Sequence, residues 1–540
     1  MLTFLGILVV LLLGYLLTTR AIPWLAVRVG RLLGFRMVMN PLTLKRVQRF
    51  KRIKRGYYSF MILAVLFVTS FFLEGLANHK PLYMKYDGKT AYPAMRDLGR
   101  TYFGWLFTIS DFDRTGDFGI PGETQLDYGF FTACIDDPEA GFAELMAAKR
   151  KELESLKAEF ADLRLEVAEL REDGEEPEDW LLEDLASADE VEGKLVAAIA
   201  ELEGSKEVFA SGRASVIWPL YRFSPHQSRL NLPGSAPFPP TIWRFEDALK
   251  KALKQAVKDG DDATLVAVLG DEREPLQAAF ASADENTIEE ALGAALAAAD
   301  RATLQREFGL TQLTAPLGTG PAGVDILPQL MYGFRVSVAF ALAVLVAGYV
   351  VGVFVGGLMG FYGGWTDIGI QRIIEIWGSI PFLFTIMIIA EIVHPGFWML
   401  VILLIVLRSW LAITELIRGE FYREKSRDYV QAAIGTGMGD IKVMMKHILP
   451  NSLVPVVSRA PFSFVNYISA LVSLDYLGFG LPPGTPSWGA MLRAGAPQIT
   501  TEPHLVLLPV SIFALTLLMV VMIGEAVREA FDPKVLSRLR

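Results

Sequence analysis

The chain has 540 residues, with 51 Lys and Arg against 60 Asp and Glu, a formal charge of −9 and a single cysteine, Cys134. That balance excludes a basic nucleic-acid binder, and one cysteine excludes an intrachain disulfide framework. Apolar residues make up 52% and the mean hydropathy is positive, yet 21% of residues are charged, so the two kinds must be segregated along the chain.

A bilayer core of about 30 Å takes about 20 apolar residues of helix. Seven stretches meet that length: 2–19, 57–77, 334–358, 376–393, 397–416, 452–474 and 505–525. The first carries its positive charge on the C-terminal side and has no small-residue cleavage site, so it reads as an uncleaved helix with its N-terminus outside. Residues 20–56, which complete the first region (1–56), hold eleven Lys and Arg and no acid, ending in KRVQRFKRIKR (45–55). This stretch is expected in the cytoplasm by the positive-inside rule. The segment 57–77 then leaves the membrane, and 78–331 is expected outside it.

Inside that outer block, 141–205 holds 20 acidic and 7 basic residues. Phe142, Met146, Leu153, Leu156, Phe160, Leu163, Val167 and Leu170 recur at steps of three and four, interrupted at Lys149, as in the a/d seam of a coiled coil. GEEPED (174–179) turns the chain and Trp180–Leu202 supplies a second amphipathic helix, so an antiparallel hairpin is expected. A Pro-rich linker, NLPGSAPFPP (231–240), leads to a second helical insertion at 241–312, where Asn286 and Glu289 resemble a capping box. No strand-rich domain is evident. Residues 332–528 hold the remaining apolar segments, and 529–540 form a tail. The loop 417–450 contains Arg418, Arg423, Lys425, Arg427, Lys442 and Lys446, so it too belongs in the cytoplasm.

Within this basic loop, DYVQAAIGTGMGDIKVMMKHILP (428–450) is the most informative stretch. From Asp428 and Tyr429 onward the chain can make about two helical turns, with small Ala432 and Ala433 side by side. Gly435, Gly437 and Gly439 then break the helix, and Leu449-Pro450 lead into the next membrane segment. Small residues let another surface approach closely, and a glycine turn takes little space, which a Gly437→Trp change would fill. These are properties of a docking knob on a membrane protein rather than of an active site.

The loop resembles the EAA loop of ABC-importer permeases, with Gln431-Ala432-Ala433, Gly437 and Leu449-Pro450 in the family positions. Gln431 stands where glutamate is usual and His447 where Ile is common. LGTGPAGVDILPQLMYGFRVSV (317–338), LRSW (407–410) with Arg418, SLDYLGFGLPPGTPSWGAML (473–492) and IGEAVREAFDP (523–533) resemble dipeptide and oligopeptide permeases in the same order. Gly320 and Val324 replace the usual Asp and Arg. KPLYMKYDG (80–88), with IWPLYRFSP (217–225), is most similar to the microcin C and oligopeptide uptake permeases. The two insertions have no counterpart in the pattern of that family.

The resemblance implies an all-α polytopic membrane protein. Its type I ABC importer core would have six transmembrane helices, joined here by an extra N-terminal helix and a large extracytoplasmic helical insertion. It also implies a place in the bacterial inner membrane, in the lipid bilayer. The expected partners are a second permease subunit, two ABC ATPase subunits that hold ATP and Mg, and a periplasmic peptide-binding protein. This chain would bind no cofactor itself. Its substrate would be oligopeptides or peptide-like compounds such as microcin C. The rival class is a membrane receptor or scaffold with an external coiled coil.

Other tempting features are weaker. Gly88-Lys89-Thr90 imitates the end of a phosphate-binding loop, but Tyr83 stands where the upstream glycine is required. The five histidines are scattered, without metal-ligand spacing. No nucleophile elbow or zinc-protease helix appears, so neither a catalytic residue nor a metal site is expected. Arg408, Arg459 and Asp475 fall within or beside apolar segments, where charge is costly, so they either line a translocation path or pair between helices. Arg372 and Glu375 lie one turn apart and suit a local pair.

Overall fold

The computed structural model describes residues 12–21, 23–24, 28, 41–96, 114–120, 126–161, 164–165, 167–168, 179–229, 232–270, 273–282, 284–311 and 314–531. The chain forms two compact units, Met1–Phe71 with Phe223–Arg540, and Phe72–Arg222. Of the expected first apolar segment, 2–11 lies outside the described residues and the rest is helical, with a π turn at Leu17–Ala21; α1 (Pro41–Arg52) and α2 (Lys54–Ser70) follow in the first unit.

The second unit contains one small sheet. Strands β1 (Tyr83–Tyr86) and β2 (Lys89–Ala91) pair around Asp87 and Gly88, both at positive φ, as a two-residue hairpin turn requires. The phosphate-loop imitation at 88–90 therefore runs into a strand instead of opening a helix. Helices α3 (Tyr128–Asp136), α4 (Pro138–Glu159) and α5 (Asp179–Ala210) follow, and β3 (Ser215–Ile217) completes the antiparallel order β2-β1-β3. Met84 and Tyr86 point from the sheet into a core with Phe118, Phe131, Phe142 and Phe209, several of whose rings meet edge to face.

The acidic stretch forms the expected antiparallel hairpin. Glu139 pairs with Lys206, Arg150 with Glu203, and Arg164 with Asp189 and Glu192, so rising numbers on one helix meet falling numbers on the other. Exposed pairs of this kind contribute about 0–1 kcal/mol each, so the seam must carry the association. Phe142 and Val167 are buried, and Leu153, Leu156 and Phe160 are half-buried. Leu163, Leu170 and the turn at 174–178 lie outside the described residues.

Back in the first unit, the 241–312 insertion contains α6 (Phe245–Asp259), α7 (Asp262–Leu269), α8 (Arg273–Ser282), α9 (Glu285–Ala298) and α10 (Arg301–Glu307). Leu249, Leu253, Leu265, Leu276, Leu292 and Leu304 share its core. Asp261, Asp284 and Asp300 cap α7, α9 and α10 by accepting from the backbone N–H three residues on. The cap of α9 is thus Asp284 and not Asn286, because the Asp284 carboxylate reaches the Thr287 N–H at 3.1 Å. Arg244 ties this insertion to the chain ahead of the last long helix through 2.6 Å contacts to Asp247 and Glu502.

The remaining elements are α11 (Ile326–Tyr362), α12 (Gly364–Gly378), α13 (Phe382–Val393), α14 (Phe397–Leu404), α15 (Leu411–Lys425), α16 (Asp428–Gly435), α17 (Leu449–Leu477), α18 (Trp488–Gly495) and α19 (His504–Phe531). Alone, α11 and α19 are long and apolar enough to cross a membrane. The expected segment at 376–393 is bent by 72° between α12 and α13. Pro381, which has no N–H to continue the ladder, stands at the break. The segment at 397–416 is bent by 48° after a π-helical turn at Ile405–Ser409.

Helix α11 packs most closely on α15. Gly348, Gly352, Gly356 and Gly360 recur every fourth residue on α11 and face Ser409, Trp410, Ile413, Thr414, Arg418 and Phe421. A Cβ at Gly356 would sit 2.4 Å from the Thr414 carbonyl oxygen, and one at Gly360 would sit 2.7 Å from that of Arg418. In lipid, apolar tails compete with apolar side chains, so this small-residue stripe is what brings the two backbones together. At the other side of the bundle Gly56 of α2 meets Ala526 of α19 in the same manner.

Candidate functional site

Helix α15 delivers the chain to the small-residue loop. After a turn at Ser426, α16 lies with Val430 and Ala433 buried against Ile413, Phe421, Val443 and Ile448. Asp428 opens the helix in its first turn. The opposite side exposes Gln431, Ala432, Ile434, Gly435 and Gly437. Gly437 has φ +80, and its N–H donates to the Ile434 carbonyl at 2.9 Å while Met438 N–H reaches Ala433. No atom lies within 4 Å of a Cβ built on Gly437, so backbone handedness and not crowding within this subunit demands glycine there.

The loop is held from both ends. The Tyr429 hydroxyl donates to Glu424 at 2.7 Å and accepts from the Asn451 amide at 2.8 Å. Burial, then the Glu424 hydrogen bond, raises the Tyr429 pKa above its ordinary value. The Gln431 amide donates to the Lys425 carbonyl at 2.8 Å. An ionised glutamate only accepts and could not make that bond, so the glutamine has a local role of its own. Leu449 and Pro450 begin α17 within a helical run that starts at Asp440, and the π-helical turn Met444–Ile448 lies directly before Pro450, whose missing N–H interrupts the ladder. Ile441 and Met445, 75% and 60% exposed, add apolar side chains on the helical run that follows the turn. Sequence reading passed over both, although apolar residues three and four apart in a basic loop are the available signal.

Residues 348–537 match the model of a family described as the binding-protein-dependent transport system inner membrane component. The chain is 34% identical over 226 residues to the oligopeptide transport system permease protein OppC of Lactococcus lactis subsp. cremoris, covering 41% of this chain and 76% of that one. The chain belongs to this permease family. It is also 41% identical over 217 residues to the inner membrane ABC transporter permease protein YejE of Escherichia coli, over 40% of this chain and 63% of the relative. The peptidoglycan transport system permease protein YejE of Agrobacterium fabrum is 29% identical over 496 residues, 92% of this chain and 94% of its own. Only 44 of the 540 residues lie outside that last match, fewer than either insertion contains. The insertions therefore have counterparts among the relatives, which corrects the expectation that they have none.

The stretches that resemble family motifs are built into the start of α11 and the loop at 428–450. Asp325 caps α11 through Leu327 N–H at 3.1 Å and pairs with Arg229 at 3.1 Å, both side chains being buried. At Gly320 and Val324 the backbones bond to each other, Gly320 N–H to Val324 carbonyl at 2.8 Å. Near the loop, Arg418 grips Asp367 of α12 with two 2.6 Å contacts, the Tyr422 hydroxyl donates to the same carboxylate at 2.8 Å, and Lys425 reaches the Phe361 carbonyl. Asp367 was not singled out from the sequence, because its partner lies 51 residues away. Arg372 and Glu375 form the expected local pair at 2.5 Å.

The three intramembrane charges occupy different settings. Arg408 lies in the π turn, exposed, with its guanidinium 5.6 Å above the Phe382 ring. Asp475 is 6% exposed and holds the loop after α17 by accepting from Leu481 N–H at 2.7 Å. Arg459 projects from α17 with its side exposed. Among the described residues no hydrogen bond or ion pair joins the three to one another.

Proposed function

We propose that this chain is the permease subunit of an ATP-driven peptide importer, coupled to separate ATPases through residues 428–450. The observation that carries the reading is the seating of α16. Its inner face is locked to α15, which is itself locked to α11 by the glycine stripe, while Gln431, Ala432, Ile434, Ile441 and Met445 face outward as a docking surface. A push on α16 would be transmitted along α15 to α11, and through Asp367 and Arg418 to α12, because packed helices move as bodies and not by local compression. A nucleotide shifts such a transporter only by favouring one arrangement of these helices over another. ATP and Mg would be held by the two ATPase subunits, and a second permease and an extracytoplasmic binding protein would complete the path. In this reading residues 78–331 lie on the extracytoplasmic side, and 417–450 in the cytoplasm.

The substrate class is peptides. The family resemblance to oligopeptide permeases supports it, and the Agrobacterium relative, matched through the insertions, adds peptidoglycan-derived peptides to those worth testing. Reconstituting the complete complex with its binding protein tests this directly. ATP-dependent uptake of a labelled oligopeptide or cell-wall peptide is expected, and hydrolysis by the isolated chain would overturn it. Cysteines at 141–205 should react with an impermeant maleimide in cells with a permeabilised outer membrane, and cysteines at 436–440 should not. Labelling of the loop from outside would invert the orientation.

A further inference from the structure

Helix α17 is 29 residues long but is not among the helices that cross a membrane on apolarity alone. The reason is a polar line. Asn451, Arg459, Asn466 and Ser473 are all exposed, and the last three recur every seven residues, two helical turns. A seven-residue repeat drifts by only about 20° per step on an α-helix, so these side chains share one face. Phe464, Ile468, Leu471 and Leu474 point the other way and are buried in the bundle. Arg459 lies ten residues from Leu449, about 15 Å along the axis, which is mid-depth in a bilayer core of about 30 Å. A guanidinium at that depth is not left against lipid; it faces a polar cavity or a partner.

The surroundings of Arg459 narrow the choice. It makes no ion pair among the described residues. Its charge lies near the hydroxyls of Tyr349 and Tyr467. Those hydroxyls are already fixed, Tyr349 donating to Ser463 at 2.9 Å and Tyr467 to the Ser409 carbonyl at 3.2 Å. The guanidinium is therefore flanked by neutral donors and lacks an anion. Its planar fork matches a carboxylate. From Arg459 to Ser473 the line runs 14 residues, about 21 Å, the length of roughly six residues of extended peptide. Asn466 offers both an amide donor and an acceptor along the way, as a peptide backbone requires.

Resting on the peptide-importer reading above, we propose that this face of α17 is a peptide-reading line within the translocation path. Arg459 binds the C-terminal carboxylate of the passing peptide, and Asn466 and Ser473 contact its backbone further out. A transported peptide therefore enters the membrane carboxylate first.

The test uses the complete reconstituted importer and three labelled pentapeptides: the free acid, its C-terminal amide, and the amide with one internal glutamate. A charge-assisted pair is worth roughly one to two orders of magnitude, so wild type should take up the free acid at least about tenfold better than the plain amide. Arg459→Gln should lower uptake of the free acid until it no longer exceeds that of the plain amide, with all subunits still co-purifying, and Arg459→Lys should retain part of the preference. Rescue by the internal glutamate would assign the site to carboxylates in general and overturn its restriction to the C-terminus. Equal uptake of acid and amide by wild type, a preference that survives Arg459→Gln, or a complex that falls apart on that substitution each overturns the proposal and leaves the importer reading standing. A wild-type complex that moves no peptide overturns both.

Discussion

The contact between α11 and α15 gives the sharpest test of how the loop at 428–450 is tied to the long helix α11. In Gly356→Ala, the new methyl would lie 2.4 Å from the Thr414 carbonyl oxygen and 3.1 Å from the Ile417 Cβ. Ordinary contacts begin at 3.4 Å, so the two helices must part locally by about 1 Å. Overpacking of a fitted interface costs about 1–3 kcal/mol. Alanine also raises helix propensity over glycine by about 1 kcal/mol, which offsets part of that cost. Gly419→Ala isolates the second effect, since Gly419 sits on the exposed side of α15 with nothing within 4 Å. The two variants share the propensity gain and differ in the contact, so their stabilities should differ by about 1–3 kcal/mol. Thermal unfolding of each in the same detergent should give a lower midpoint for Gly356→Ala, with less peptide moved per ATP hydrolysed in the reconstituted complex. Equal midpoints would refute the claim that the glycine stripe sets the approach of the two helices.

Three further outcomes follow from the same geometry. Gly437→Ala forces a side chain into a left-handed conformation at a cost of about 1–2 kcal/mol, so hydrogen exchange over 428–439 should quicken, whereas Gly435→Ala should leave it unchanged. Asp367→Asn removes the charge facing Arg418, half of a pair that is largely shielded, and should cost about 1–3 kcal/mol; the swap Asp367→Arg with Arg418→Asp should recover part of the thermal stability, and no recovery would deny the pair its role. Asp284 is held below the usual carboxylate range by its hydrogen bonds to Thr287. A depressed folded pKa contributes stability above the ordinary value of about 3.9 and loses it as pH falls through the lowered one. Protection from hydrogen exchange in the first turn of α9, taken relative to the intrinsic rate at each pH, should therefore hold steady from pH 7 to 5 and fall below about pH 4, and Asp284→Asn, which caps without titrating, should show no such step.

Much of this permease was legible from short windows of sequence. Apolar run length marked α11 and α19 as long and apolar enough to cross a membrane, since the free energy of placing a segment in a bilayer is close to a sum over its residues. The a/d spacing from Phe142 onward announced the hairpin, and Ala432-Ala433 with the glycines announced the short helix α16 and the turn after it, because each is a property of neighbours on one chain segment. The same logic failed where a residue's role belongs to a partner. Gly348, Gly352, Gly356 and Gly360 were visible as a four-residue repeat, but their meaning lay in the backbone of α15. Asp367 became significant only when Arg418 arrived from 51 residues away. Gly437 was read as a matter of space, and the fold makes it a matter of φ. For Arg459 and Asp475 the sequence offered the same two readings, and burial separated them, one charge exposed on a polar face and the other enclosed as a loop anchor. What the sequence determined by itself was which segments are apolar and where the chain turns, as these properties are local. Which helices touch, and which charges are left without a partner, was decided only by the tertiary structure, because those energies exist only between residues that folding brings together.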